Sequence, residues 1–166
     1  MLKPAAFLDR DGVINHEKGY VYKISDFEWI EGSKESIKFL NKNNYYVFVI
    51  SNQSGIARGI YEEKDVLFLH KYINSELRKI DAHIDEFFIS PYHPMFPNKF
   101  ENLINLRKPK TGMLELAQSR WLIDKKNSFL IGDKAIDIEC AKNYGIRGHL
   151  FNDNNLLDFI KKSENL

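Results

Sequence analysis

Ala5-Ala6-Phe7-Leu8-Asp9-Arg10-Asp11-Gly12 passes from an apolar run to two carboxylates and a glycine. An apolar run this short, bounded by turn residues, reads as a strand buried on both faces, the kind found in parallel sheets covered by helices. In open α/β sheets ligands sit in the crevice outside the carboxyl ends of the strands, which places Asp9 and Asp11 at a site. Two carboxylates there suit two separate jobs. Taken alone, Asp-x-Asp-Gly reads equally well as a polar turn closed by Gly12, so the rest of the chain has to decide.

Length and composition narrow the classes. With 166 residues, 43% hydrophobic and 28% charged, one globular domain over residues 1–166 is expected, with enough chain to bury a full core. The 24 basic and 23 acidic residues leave a net charge of +1, no surplus for a nucleic-acid backbone or an anionic membrane. Neither is expected as a partner, and any anion site must be local. The single cysteine, Cys140, cannot form an internal disulfide, which fits a reducing compartment, and it falls in a helical pattern as a small core side chain. No apolar stretch approaches a membrane span and the N-terminus lacks a signal-peptide core, so a cytoplasmic monomer is expected.

Strands and helices then alternate. After Asn15, His16 to Tyr22 has neither helical nor strand period and reads as a loop folding over the site. Ser33 is the expected cap of a helix to about Asn43, with Ile37 and Leu40 inward. Tyr46 to Ile50 is a second apolar strand, ending in the polar turn Ser51-Asn52-Gln53-Ser54-Gly55. Val66, Leu69, Ile73, Leu77 and Ile80 recur at helical steps, predicting a long helix from near Glu62. Glu86 to Ser90 is a third strand. From Pro91 to Pro109 the pattern dissolves into a proline-rich loop with Tyr92, Phe96 and Phe100 in it, and those aromatics argue for order. A helix follows from Thr111 to about Arg120, then a strand over Ser128 to Ile131 closed by Gly132-Asp133-Lys134. Asp137 lies on the next helix, which Gly145 ends; Arg147 to Phe151 is a fifth strand and Leu156 to Ile160 a terminal helix. This alternation predicts an α/β fold with a mainly parallel sheet and right-handed crossovers.

Three strand ends thus carry Asp9-x-Asp11, Ser51-Asn52-Gln53 and Gly132-Asp133, and the loop before Thr111 carries Arg107-Lys108-Pro109-Lys110. These parts suit phosphoryl transfer. A carboxylate can attack phosphorus to give an aspartyl-phosphate, splitting hydrolysis into two displacements. An anion attacking an anion needs positive charge, which Mg²⁺ on oxygen ligands and Lys108 would supply, while the Ser51 hydroxyl and the N–H groups of its turn hold phosphoryl oxygens. The leaving alkoxide needs a proton, and Asp11 is placed to give it and later to take one from water. Asp137, one turn into its helix, is expected to orient Lys134 or Lys108 rather than to bind metal. Arg58 is expected to be a surface salt-bridge residue, and the five histidines are scattered without cysteine partners.

Asp9-x-Asp11-Gly12-Val13, Ser51, Lys108 and Gly132-Asp133-x-x-x-Asp137, in that order, resemble the four motifs of the haloacid dehalogenase superfamily. More narrowly, Phe7-Leu8-Asp9-Arg10-Asp11-Gly12, Asn52 to Gly59, Arg107-Lys108-Pro109 and Gly132-Asp133-Lys134 resemble the histidinol-phosphatase subgroup. Gly19-Tyr20-Val21 and the short length add a resemblance to its heptose-bisphosphate phosphatases. The resemblance runs from about Phe7 to Phe151. It implies a three-layer α/β/α Rossmann-like fold without a large cap domain, and a Mg²⁺-dependent phosphatase removing the 7-phosphate of D-glycero-D-manno-heptose 1,7-bisphosphate. Histidinol phosphate or another small sugar phosphate is the alternative substrate, and a non-catalytic phosphosugar-binding module the alternative class. Carried over by residue, it implies Asp9 as nucleophile, Asp11 as general acid/base, and Ser51 and Lys108 as stabilisers of the transferring group. Asp9, the Asp11 carbonyl and Asp133 would bind Mg²⁺; Glu17, Lys18, Gly19, Tyr20, Ser51, Asn52, Gln53, Ser54, Arg107, Lys108 and Lys134 would contact substrate. Arg107 suits the phosphate that is not cleaved.

In that subgroup the proline-rich loop usually carries Cys-x-His at its start and Cys-x-Cys before Arg-Lys-Pro, a tetrahedral zinc set. Here those positions read Ser90-Pro91-Tyr92 and Ile104-Asn105-Leu106, so no structural zinc is expected. Phe96, Phe100, Leu103, Ile104 and Leu106 are the residues expected to order the loop instead.

Overall fold

Alternation along the first strand sets the layers. In the computed structural model, which describes residues 1–96 and 99–166, β1 (Ala5–Leu8) is fully buried. Ala6 and Leu8 face one apolar cluster while Ala5 and Phe7 face another. The same two-residue period divides β2 (Tyr46–Asn52), with Val47 and Val49 on the first side and Phe48 and Ile50 on the second. Against the first side pack α1 (Ser33–Lys42), α2 (Glu63–Arg78) and α5 (Leu156–Glu164), through Ile37, Leu69, Ile73 and Ile160 among others. Against the second lie α3 (Gly112–Arg120) and α4 (Ala135–Tyr144), through Met113, Ala117, Cys140 and Ala141. The result is the three-layer α/β/α arrangement that the family resemblance implies, with no cap domain among the described residues.

β3 (Glu86–Ser90), β4 (Phe129–Gly132) and β5 (Arg147–Leu150) complete a five-stranded sheet in the order β3-β2-β1-β4-β5, every pair parallel. The chain steps outward from β1 to β3, then returns past β1 to build β4 and β5. The order therefore reverses at β1, where such sheets open a crevice for ligands.

Several boundaries differ from expectation for local reasons. Gly32, at φ 75°, precedes α1 as its cap; Ser33 is already helical and its hydroxyl donates to the Ile30 carbonyl at 2.7 Å. The left-handed backbone favours glycine at that entry. α5 extends to Glu164, which is anchored by Arg147 and His149. The loop expected over 91–109 is described except at Pro97 and Asn98, and it contains a 3-10 helix, Glu101–Leu106. Phe100 packs against Ile56, Tyr61 and Val66, and Leu106 against the second cluster, whereas Ile104 is exposed and contributes no anchor.

Candidate active site

Asp9 extends β1 by one residue, its N–H donating to the Ile131 carbonyl of β4 at 2.9 Å. Its carboxylate Oδ1 lies 3.0 Å from Lys108 Nζ, and the same ammonium is 2.7 Å from Asp137 Oδ1 and donates to the Ile50 carbonyl at 3.0 Å. Lys108 and Asp137 are buried and Asp9 nearly so. Burial pushes the Asp9 carboxyl up to about 7; Lys108 pulls against this, and Asp137 and Asp11 add to it. Burial alone would lower Lys108, but Asp9 and Asp137 outweigh it and hold the ammonium above its usual range. Asp137 also accepts the Lys134 N–H at 3.0 Å, satisfying a backbone donor at the start of α4.

Asp133 leaves β4 beside Gly12. At φ +87° this glycine adopts the left-handed backbone, and a Cβ on it would fall 2.2 Å from Asp133 Oδ2. A side chain there would evict the carboxylate. Burial raises the Asp133 pKa, and its Oδ1 is buried without a hydrogen-bond partner among the described residues. Carboxylate oxygens of Asp9, Asp133 and Asp137 lie within 4.8 Å of one another. An orphaned buried oxygen in an all-oxygen cluster that holds more carboxylates than ammonium groups fits a hard divalent cation such as Mg²⁺.

Asp11 is held from behind. Arg10, fully buried, donates through Nη2 to both Asp11 carboxylate oxygens, at 3.0 and 3.1 Å, and to the Val21 carbonyl, while Nη1 faces His70 Nε2 at 3.3 Å. Asn15 and Gln53 also donate to Asp11. Gln53 Nε2 bonds the Ser51 hydroxyl oxygen at 2.7 Å, and Tyr61 donates to Gln53 Oε1 at 2.6 Å.

Above these groups opens a cavity of about 490 Å³ lined by Asp11, Glu17, Gly19, Tyr20, Asn52, Gln53, Ser54, Arg107 and Lys134, together with Tyr61 and Ile136. Ser51, Lys108 and Asp9 are not among its lining residues and are nearly closed to solvent. Lys18 is not brought in: it is exposed and pairs with Glu28 at 2.6 Å, away from the lining. Glu17 lies 3.5 Å from Lys134 across the mouth. Arg107 is half-buried, donates to the Tyr92 carbonyl at 3.2 Å, and has its pKa lowered by burial and by Arg58. Arg58 has no carboxylate partner among the described residues, contrary to the surface salt bridge expected of it. It donates to His93 Nε2 at 3.1 Å and lies over the Phe96 ring. Sequence reasoning missed Tyr61 and Arg10. The signal for Arg10 is a lone base between two acids at the end of an apolar strand; for Tyr61 there is none beyond an aromatic following a glycine-rich turn.

A parallel sheet with a buried carboxylate–lysine pair at its switch point and a carboxylate cluster on the neighbouring strand defines a phosphohydrolase of the haloacid dehalogenase type. The chain belongs to the polynucleotide kinase 3 phosphatase family, which matches residues 5–163, and to the family of the heptose-bisphosphate 7-phosphatases. A D-glycero-beta-D-manno-heptose-1,7-bisphosphate 7-phosphatase of Rhodopseudomonas palustris is 43% identical over 162 residues, 96% of this chain and 89% of that protein. The D-glycero-alpha-D-manno-heptose-1,7-bisphosphate 7-phosphatase of Campylobacter jejuni is 43% identical over 146 residues, 88% of this chain and 80% of that protein. Among solved structures, D,D-heptose 1,7-bisphosphate phosphatase from B. bronchiseptica, complexed with magnesium and phosphate, superposes with a TM-score of 0.81. It is 25% identical and covers 96% of this chain and 86% of that one.

Proposed function

We propose that this protein hydrolyses the 7-phosphate of D-glycero-D-manno-heptose 1,7-bisphosphate through an aspartyl-phosphate on Asp9. The observation that carries the reading is the buried Asp9–Lys108 pair beneath a cavity whose rim presents Arg107 and Lys134. A bisphosphate needs cationic groups beyond the reaction centre, and these two supply them. The Asp9 carboxylate attacks phosphorus as the bond to the sugar oxygen breaks, and Asp11 gives that oxygen a proton. Asp11 then takes a proton from water as the phosphoenzyme is hydrolysed. Lys108 and the Ser51 hydroxyl hold the equatorial oxygens. Asp9, Asp133 and the Asp11 carbonyl would hold Mg²⁺, which when bound supplies positive charge against the phosphoryl oxygens.

Histidinol phosphate, the rival substrate, needs a carboxylate for its ammonium group. Beside Glu17 the cavity lining carries two cations, Arg107 and Lys134, and that balance favours a phosphate over an ammonium group. The non-catalytic alternative would dispense with a reacting group, yet Asp9, Asp11, Lys108 and Asp133 are all in place. The balanced charge of +1 favours a small sugar phosphate over a nucleic-acid strand, and among the described residues no helix is long and apolar enough to cross a membrane. A cytoplasmic monomer acting as one domain over residues 1–166 fits the buried single cysteine. The test is phosphate release with Mg²⁺ from both bisphosphate anomers and from histidinol phosphate at equal concentration. Bisphosphate should turn over fastest, and faster release from histidinol phosphate would overturn the assignment.

A further inference from the structure

The Gln53 side chain lies in the cavity wall, yet its amide is committed inward. Nε2 donates to Asp11 Oδ2 at 3.1 Å and to Ser51 Oγ at 2.7 Å, which uses both amide protons, and Oε1 accepts from the Tyr61 hydroxyl at 2.6 Å. Gln53 and Ser51 are almost inaccessible, and Tyr61 is buried against Ile56 and Val66. Little of this amide is left for a substrate.

The direction of these bonds matters. With Nε2 donating to Oγ, one lone pair of the Ser51 oxygen is occupied, and the Ser51 hydroxyl donates no hydrogen bond among the described residues. That proton is free for a phosphoryl oxygen. Rotating the amide by half a turn would place Oε1 against the Asp11 carboxylate, two acceptors face to face. It would also offer the Ser51 proton a competing acceptor. The Asp11 carboxylate, which only accepts, excludes that flip, and the Tyr61 hydroxyl, donating to Oε1, ties the other end of the amide so that it cannot swing away. We propose that Tyr61 is a positioning residue for the phosphatase reaction, fixing the Gln53 amide so that Ser51 and Asp11 both stand in their reactive geometry.

Tyr61 is built to donate. Burial pushes its phenol up to about 12, so it stays protonated across the working range. The ring is fixed on both sides. Tyr22, from the loop over the site, stacks on it at 4.8 Å between centroids with a 20° tilt. At Gly55 a Cβ would fall 2.1 Å from the Tyr61 ring, so only glycine lets the phenol reach Gln53. The ring thus links the covering loop to the two groups at the base of the site.

This inference rests on the phosphatase reading, and the test separates the two. Tyr61→Phe keeps the ring and its stacking but removes the donor. With heptose bisphosphate and with p-nitrophenyl phosphate, kcat should fall about 10- to 100-fold while KM changes less than about threefold. Gln53→Leu should lose at least as much, and adding Tyr61→Phe to it should cost nothing more, since the phenol acts only through that amide. Wild-type kcat in Tyr61→Phe, or additive losses in the double variant, would overturn the relay and leave the phosphatase reading standing. Wild-type protein inert toward every phosphate ester would overturn both.

Discussion

Asn52 clamps the backbone of Lys108 at both polar groups: the Lys108 N–H donates to Oδ1 at 3.0 Å, and Nδ2 donates to the Lys108 carbonyl at 3.2 Å. One side chain at the end of β2 thereby places a lysine 56 residues away. Asn52→Ala should leave a buried N–H unpaired, costing about 1–3 kcal/mol of stability. At about 2–4 °C per kcal/mol for a chain of this size, thermal unfolding should detect it. Turnover should fall as well, because the ammonium is no longer held over Asp9. Unchanged Tm and unchanged turnover would show that the loop holds Lys108 without help.

The two aspartates on the β1 exit are expected to fail differently. Asp9→Asn cannot form a phosphoenzyme, so kcat should drop on the order of 10³-fold or more. Asp11→Asn should retain metal affinity and phosphoenzyme formation with a good leaving group such as p-nitrophenol, while losing turnover on a sugar phosphate. Full activity in Asp9→Asn is the result this mechanism does not survive.

His70 makes stability depend on pH. Burial, and then the Arg10 charge beside it, hold its pKa well below 6.5, so it folds as the neutral imidazole. Its contribution is complete above about pH 6.5, where the unfolded histidine is also neutral, and is lost as pH falls from there toward the depressed folded value. In that window stability should drop by about 1.4 kcal/mol more per pH unit than in His70→Gln. Chemical denaturation at several pH values compares the slopes, and equal slopes would mean that His70 takes up its proton without unfolding.

Arg107 forms no ion pair among the described residues, which leaves its guanidinium available to an anion. Arg107→Ala should therefore reduce kcat/KM for a bisphosphate by at least about tenfold more than for a simple monophosphate ester. Parallel losses on the two substrates would remove Arg107 from recognition of the uncleaved phosphate.

The proline-rich loop is expected to stand without metal. Phe100 in the Ile56–Tyr61–Val66 cluster and Leu106 in the larger one supply apolar burial of roughly 1.5–3 kcal/mol for each side chain fully covered. Elemental analysis should find no stoichiometric zinc, a zinc-selective chelator should leave the melting temperature unchanged, and Phe100→Ala should lower it. One zinc per chain with unfolding on chelation would contradict this.

What could be read from the sequence followed one-dimensional signals. The strands were legible because a sheet covered on both faces demands continuous apolar runs, and the reacting groups because strand ends break those runs abruptly. Ser33 resembles a cap because it precedes an apolar helix face, whereas the residue that caps is Gly32, whose left-handed backbone a lone glycine in a sequence does not by itself reveal. Lys18 was drawn toward substrate by its place in a motif, but one salt bridge to Glu28 turns it outward. Arg10, a base between two acids, carries no mark in the sequence of being buried. Its complete burial depends on Val21 and His70, which only the fold brings to it.

The place of β1 in the sheet also bears on how the protein is made. This strand is made before the four others of its sheet, yet its second neighbour begins only at Phe129, and the Ala5 N–H waits for the Ser128 hydroxyl 123 residues on. Asp137, which shares the Lys108 charge with Asp9, follows later still. A nascent chain stopped before β4 would carry Asp9, Ser51 and Lys108 but leave the central strand with an open apolar edge, a template for aggregation. Prematurely terminated chains should accordingly be insoluble or degraded instead of partly active, so that phosphatase activity in a cell reports translation carried through the last strands.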